Sequence, residues 1–361
     1  LYVVNHETAG GLNPAGNALH VLAIGTDGRL TQSASPLFLP VPGTANPQGV
    51  VALRFDPEHF LAAGAGPGGV PNVKVYNAAG DPVRSFLAYD ANFGGGVSVA
   101  TGDVTGDGID DIVTGAGPGG GPHVKVFDGS NGAEVDSFFA YDAGFTGGVH
   151  VGLANVDGDG RADIITGAGP GGGPHVKVFD GTDLRLVNNF FAYSPNFTGG
   201  VFVAGGDLDT DGRAEIVTGA GVGGGTHVRA FDGLTGTERV SFFAGDPTGR
   251  GGVTVGVGDF DGNGSADIVT GRGDSSTVRI FDGAAILGGT ARSLADLIAY
   301  PASPLNGAFV AATDLNDDDR ADIISGSTRG SQVKVFDAAT QAEIESFLAF
   351  DSSFNGGVHV G

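Results

Sequence analysis

The chain has 361 residues, 40 % of them hydrophobic, with 68 Gly, 17 Pro, no Cys and no Met, and its 41 acidic against 18 basic side chains give a net charge of −23. That charge argues against a nucleic-acid binder, which needs cations to neutralise phosphates, and against electrostatic attachment to anionic lipid. No apolar run nears the ~20 residues of a membrane-spanning helix, and without Cys there are no disulfides and no thiolate chemistry.

In chain order, "LYVVNHE", "ALHVLAIGTDG" and "LTQSASPLF" within residues 1–41 read as three strands. They are runs of β-branched and aromatic residues bounded by Gly, Asn and Asp. With Leu1 first and no Met anywhere, the chain is expected to be a mature or excised piece of a longer precursor whose signal peptide is gone. A degenerate unit follows in "FLAAGAGPGGVPNVKVYN", and from there a repeat takes over. A nine-residue acidic loop begins at Asp103, Asn155, Asp207, Asp259 and Asp314, at spacings of 52, 52, 52 and 55 residues. Each loop leads into a strand such as "DIVTGAG", then a second such as "HVKVFDG", a third such as "SFFAYD" and a fourth such as "GGVHVG". Helical periodicity is suggested only weakly, by "ARSLADLIAY" near Ala291.

Four short strands per unit of this length are the pattern of a β-propeller blade. Dividing 361 by 52 gives about seven. The ends look complementary, because the chain stops on a lone first strand and opens on second, third and fourth strands. The expectation is therefore an all-β, seven-bladed propeller of four-stranded blades forming a single domain over residues 1–361. Residues 1–41 would join 356–361 in the closing blade, and residues 49–355 would supply six more.

Within the loops the oxygen-bearing side chains keep their places. Positions 1, 3, 5 and 9 are Asp103, Thr105, Asp107 and Asp111, then Asn155, Asp157, Asp159 and Asp163, then Asp207, Asp209, Asp211 and Glu215, then Asp259, Asp261, Asn263 and Asp267, and last Asp314, Asn316, Asp318 and Asp322. Sixteen of these twenty are carboxylates. Four or more oxygens converging from alternate positions suit a hard cation such as Ca²⁺. The backbone carbonyls at position 7, of Ile109, Arg161, Arg213, Ser265 and Arg320, are candidates for a fifth ligand each. About five Ca²⁺ per chain are expected, and none at residues 52–60, where Ala52, Arg54, Asp56 and Phe60 fill the aligned slots.

This pattern, with an acid at position 9 and a Gly-containing strand after it, resembles the FG-GAP repeats of integrin α-subunit propellers and the related bacterial VCBS-type repeats. The resemblance runs from about Gly95 to Gly361. It implies a Ca²⁺ loop between the first and second strands of a blade. The N-terminal stretch, "LYVVN" and "NPQGVVALRFDPEHFLAA", is more similar to the YVTN-type blades of lactonase-like propellers. The expected function is a secreted or cell-surface scaffold for binding or adhesion, with an extracellular protein or glycan as ligand, and, from the charge and hydropathy above, no nucleic acid and no direct membrane insertion. A lectin-like propeller with sites between blades, walled by Phe139, Phe191 or Phe243, is the alternative. A lyase- or lactonase-type enzyme acting at the central channel is a third.

Other motifs carry less. "GAGPGG" at residues 115–120 fits G-x-G-x-x-G but precedes a strand rather than a helix, so it reads as a hairpin. Arg272-Gly273-Asp274 falls on the equivalent hairpin. His123, His175 and His227, and His150 and His359, recur with the repeat, as do Lys74, Lys125, Lys177, Arg229, Arg279 and Lys334. A catalytic group is normally unique, so these read as structural, the cations as a repeated ion pair or a snorkelling stem. No catalytic residue is assigned.

Overall fold

A computed structural model describes residues 60–300, 306–316 and 318–361 in full, and the backbone of four strands before them. Contacts divide the chain into two compact units, Leu1–Pro57 and Glu58–Gly361. In the first, β1 (Tyr2–Asn5), β2 (Asn17–Ile24) and β3 (Leu30–Gln32) pair in that order, and β4 (Leu37–Leu39) also pairs with β2. Residues 46–59 of the stretch read as resembling a YVTN blade, with the slots at Ala52, Arg54 and Asp56, lie outside the described residues.

The second unit is a six-bladed propeller. Its first blade holds β5 (Leu61–Ala65), β6 (Asn72–Tyr76) and β7 (Pro82–Leu87). The second holds β8 (Val97–Gly102), β9 (Asp111–Ala116), β10 (His123–Phe127) and β11 (Glu134–Phe139). The third runs through β12 (Val149–Ala154), β13 (Asp163–Ala168), β14 (His175–Phe179) and β15 (Leu186–Phe191). The fourth comprises β16 (Val201–Gly206), β17 (Glu215–Ala220), β18 (His227–Asp232) and β19 (Glu238–Phe243). In the fifth are β20 (Val253–Gly258), β21 (Asp267–Arg272), β22 (Ser275–Phe281) and β23 (Ser293–Ile298), and in the sixth β24 (Ala308–Thr313), β25 (Asp322–Ser327), β26 (Gln332–Phe336) and β27 (Glu343–Leu348). Every blade is an antiparallel meander, and β28 (Val358–Val360) completes the first by pairing with β5, with Val358 opposite Ala65 and Val360 opposite Ala63.

The expectation of seven blades is thus corrected to six. The closing strand is the anticipated one, but it completes the blade of residues 61–87 and not one built on residues 1–41. Dividing the whole length by the repeat counted a separate unit as a blade. Counting Gly-Gly-Val-type inner strands, which start at Val97, Val149, Val201, Val253, Ala308 and Val358, gives six directly. The helical suggestion near Ala291 also fails. Ser293–Ile298 is a strand, and the short helix lies just before it at Gly283–Leu287, where Asp282 accepts from the Ala285 N–H.

Burial follows radial position. Second strands such as Asp163–Ala168 are buried throughout, third strands alternate, and outer strands such as Glu238–Phe243 are half exposed. The core is divided into clusters between neighbouring blades, for example Ile165, Val176 and Val178 against Val201, Ile216 and Phe231. What brings blades this close is a glycine. A β-carbon on Gly64, Gly115, Gly167, Gly219, Gly271 or Gly326 would come within 2.1–2.4 Å of a carbonyl oxygen on the next blade's inner strand. The contact is made at all six interfaces, including Gly326 to Val358 at the seam, so the ring is closed.

Polar bonds cross the same interfaces. Tyr89, Tyr141, Tyr193 and Tyr300 each donate to backbone carbonyls of the following blade, as Tyr141 does to Thr166 and His175. Four of the six repeated cations form ion pairs, Lys125 to Glu134 at 2.8 Å, Arg229 to Glu238 at 3.2 Å, Arg279 to Asp296 at 3.2 Å and Lys334 to Glu343 at 2.6 Å. Lys177, Arg229 and Arg279 also reach back to the Ala140, Ala192 and Ala244 carbonyls of the preceding blade. Their structural reading stands.

Candidate metal centre

All five acidic loops join an inner strand to the second strand of a blade, so they share one end of the ring. Each is folded by its own side chains, short oxygens that hydrogen-bond nearby backbone. In the first, the position 1 carboxylate of Asp103 accepts the N–H groups of Gly106, Asp107 and Gly108. Asp107 at position 5 accepts that of Ile109, and Asp111 at position 9 accepts those of Val104 and Thr105. The other loops repeat the scheme, with Asp163, Glu215, Asp267 and Asp322 each holding the N–H at position 2. The turn needs a left-handed residue at position 6. Gly108, Gly160, Gly212 and Gly264 supply it at φ of 82–93°, and Asp319 adopts it at 63°.

The position 9 acids are at most 3 % exposed. Burial in low dielectric disfavours their charged form and raises every one of them, Glu215 to about 7 and Asp267 and Asp322 to about 6. Nearby acids add to this, Asp209 for Glu215 and Asp261 for Asp267.

Three groups of carboxylates converge with one oxygen of each within 4.8 Å of the others: Asp157, Asp163 and Asp180; Asp207, Asp209 and Glu215; and Asp259, Asp261 and Asp267. Each contains a position 3 aspartate. The first and fifth loops carry Thr105 and Asn316 there, and among the described residues they gather no such group. The first still offers an oxygen there, because the Thr105 hydroxyl lies shielded from solvent beside the Asp111 carboxylate. Three convergent all-oxygen clusters fit a hard cation. Asn155, Asp159, Asp211, Asn263, Asp314 and Asp318 lie in the same loops and accept backbone N–H groups.

Asp180 was not foreseen. Its signal was the recurring aspartate of "VFDG", at Asp128, Asp180, Asp232, Asp282 and Asp337. The residues at position 7 also do more than offer a carbonyl. Arg161 lies over the preceding loop so closely that a β-carbon on Gly106 would come within 2.6 Å of its Nε, and Arg213 and Arg320 lie likewise over Gly158 and Gly262. Ser265 donates its hydroxyl to the Leu208 carbonyl. The N–H at position 8 of one loop donates to the position 1 carbonyl of the loop before, at 2.8 Å in all four pairs from Ala162–Asp103 to Ala321–Asp259. The loops form a connected arc rather than separate sites.

The central channel is narrowed by one side chain per blade: Ser98, His150, Phe202, Thr254, Phe309 and His359, the second residue of each inner strand. His150 packs on Phe202 and His359 on Phe309, at ring distances of 4.3 and 4.1 Å. A cavity of about 120 Å³ lies beside this ring. Burial holds both imidazoles neutral, at about 4 and about 3. At the rim, Phe139, Phe191 and Phe243 are half exposed, and each stacks on His123, His175 or His227 at 4.7–4.8 Å. Arg272 and Asp274 pair with each other at 2.9 Å, so the charged side chains of the Arg-Gly-Asp stretch face each other across the hairpin.

Residues 95–133, most of the second blade, match the family model described as the FG-GAP repeat. A search of curated proteins gives no match. The match and the ring of four-stranded blades together support an FG-GAP-type propeller, a fold that suggests a binding or adhesion-type scaffold.

Proposed function

We propose that the chain is a secreted or cell-surface, calcium-binding propeller that presents a rigid surface for binding or adhesion. The observation that carries this reading is the threefold convergence of carboxylates in successive loops at one end of the ring. The side chains at positions 1, 3, 5 and 9, with the position 7 carbonyls, would hold Ca²⁺, which when bound would cancel the repulsion among buried acids. Asp180 joins the second set. The loops at Asp157, Asp209 and Asp261 carry the strongest case, and those at Thr105 and Asn316 complete the proposed five. Calcium titration of chelator-treated protein by calorimetry, with elemental analysis after dialysis, tests this. Three to five ions per chain are expected, and two or fewer at saturation would refute it.

The three Phe–His stacks favour a glycan among candidate ligands. A half-exposed phenyl ring beside hydrogen-bonding imidazole and hydroxyl groups, as in His123 with Ser137 and His227 with Ser241, offers a sugar both an apolar face and polar partners. A glycan array probed with and without Ca²⁺ separates this from a protein ligand. Binding lost in the Phe191→Ala variant would assign it to these stacks.

A further inference from the structure

Two of the three carboxylate groups already hold a cation of the protein's own. Arg239, on the outer strand β19, places one guanidinium nitrogen 2.6 Å from Asp209 and the other 3.5 Å from Glu215 and 3.8 Å from Asp232. Arg185, in the hairpin before β15, lies 2.5 Å from Asp180 and 3.8 Å from Asp157. The third group differs. Among the described residues no basic side chain pairs with Asp259, Asp261 or Asp267, and the nearby Arg292 pairs with Asp282 instead. The arrangement is not a by-product of the repeat. The slot of Arg239 is filled by Val135, Val187, Leu294 and Ile344 in other blades, and Arg185 lies two places earlier in its own blade.

We propose that Arg239 and Arg185 are resident counter-ions, occupying the charge position of the metal at the third and second loops and competing with it. This rests on the calcium reading above. A guanidinium 2.5–3.8 Å from the ligating carboxylates relieves their repulsion when metal is absent and opposes a second cation's entry. The two loops would then be weak, exchangeable sites that stay folded without metal. The fourth loop, whose three acids form no ion pair among the described residues although the Arg320 guanidinium lies over Gly262, would be the tight site and the one whose structure depends most on calcium.

The test uses the full chain stripped with chelator, titrated with CaCl₂ by calorimetry and melted in chelator. Arg239→Gln is compared with wild type and with Arg250→Gln, a rim arginine that among the described residues bonds only to the Gly223 carbonyl. In Arg239→Gln one site should tighten at least about tenfold, and the chelator melting temperature should drop further than in the control. Arg239→Lys should restore much of both. Arg185→Gln reads the same effect at the second loop, should Arg239→Gln fold poorly. If wild type binds calcium and both glutamine variants titrate as it does, the counter-ion role is overturned and the calcium reading stands. If wild type binds none, the calcium reading falls. One site appearing in Arg239→Gln would then still support the counter-ion, and none would overturn it as well.

Discussion

At the scale of single residues, the loops carry both strain and titratable burial. Thr210 sits at φ 63°, where the corresponding residues Gly106, Gly158 and Gly262 have no β-carbon to clash. Thr210→Gly should therefore stabilise the calcium-loaded protein by about 1 kcal/mol in urea unfolding, since a β-branched residue in the left-handed region carries roughly that cost. Glu215 gives a pH signature. Its folded-state value of about 7 lies above the ordinary 4.5, so without metal its contribution is most favourable below about pH 4.5 and is lost as pH rises through 7. The metal-free Glu215→Gln variant should match or fall below wild type at pH 4 and gain on it steadily up to pH 8. Adding calcium should reverse that order, because only the ionised carboxylate is a good ligand. The variant comparison is needed because His150 and His359, depressed to about 4 and about 3, act the opposite way and lose stability as pH falls below 6.5. The loop oxygens were legible in the sequence because five copies fixed their register. Asp180, Arg185 and Arg239 were not, because they reach the loops across the sheet rather than along the chain.

At the scale of elements, the glycines of "TGAG" and the arc of loops matter most. Gly167 faces the Val201 carbonyl at a distance no β-carbon tolerates, and that atom is backbone and cannot swing aside. Gly167→Ala should lower stability by several kcal/mol, whereas alanine at Gly171, whose β-carbon would meet nothing, should cost only what its φ of 100° imposes. Melting curves of the pair would separate the two effects. The sequence marked these glycines as a hairpin motif and ruled out a dinucleotide site, but their packing role depends on which blade lies next door. The same holds for the loops. Read along the chain, sites 52 residues apart look independent, and Asp107→Ala looks confined to the first. The 2.8 Å bond from Ala162 to Asp103 and the guanidinium of Arg161 over Gly106 join them instead. A double-mutant cycle of Asp107→Ala and Asp159→Ala should give a coupling above about 0.5 kcal/mol, where distant sites would add simply.

For the whole molecule, most of the fold was legible at the level of blades and little at the level of closure. Strand type, strand order and the acidic hairpins follow from local pattern, because each blade repeats one solution. The blade number comes from counting inner strands and not from dividing the length by the repeat, because which edge the strand at 358–360 meets decides what the N-terminal strands belong to. That edge belongs to β5, so removing residues 356–361 should open the first blade and cost far more than removing as many residues from a rim hairpin, as thermal melts would show. Chelation at pH 7 should likewise lower the melting temperature, and the difference should shrink near pH 4, where protons replace the metal in quieting the acids. The seam also has a place in time. Residues 65 and 358 are partners but lie 293 positions apart. A ribosome adding about 5–20 residues per second needs roughly 15–60 s to travel that far. Throughout that interval the first blade emerges with its innermost edge bare, and blades two to six are finished before it. A newborn chain is thus an open arc that a chaperone can hold or a second nascent copy can invade, and the ring locks only once residues 358–360 are free to pair with β5.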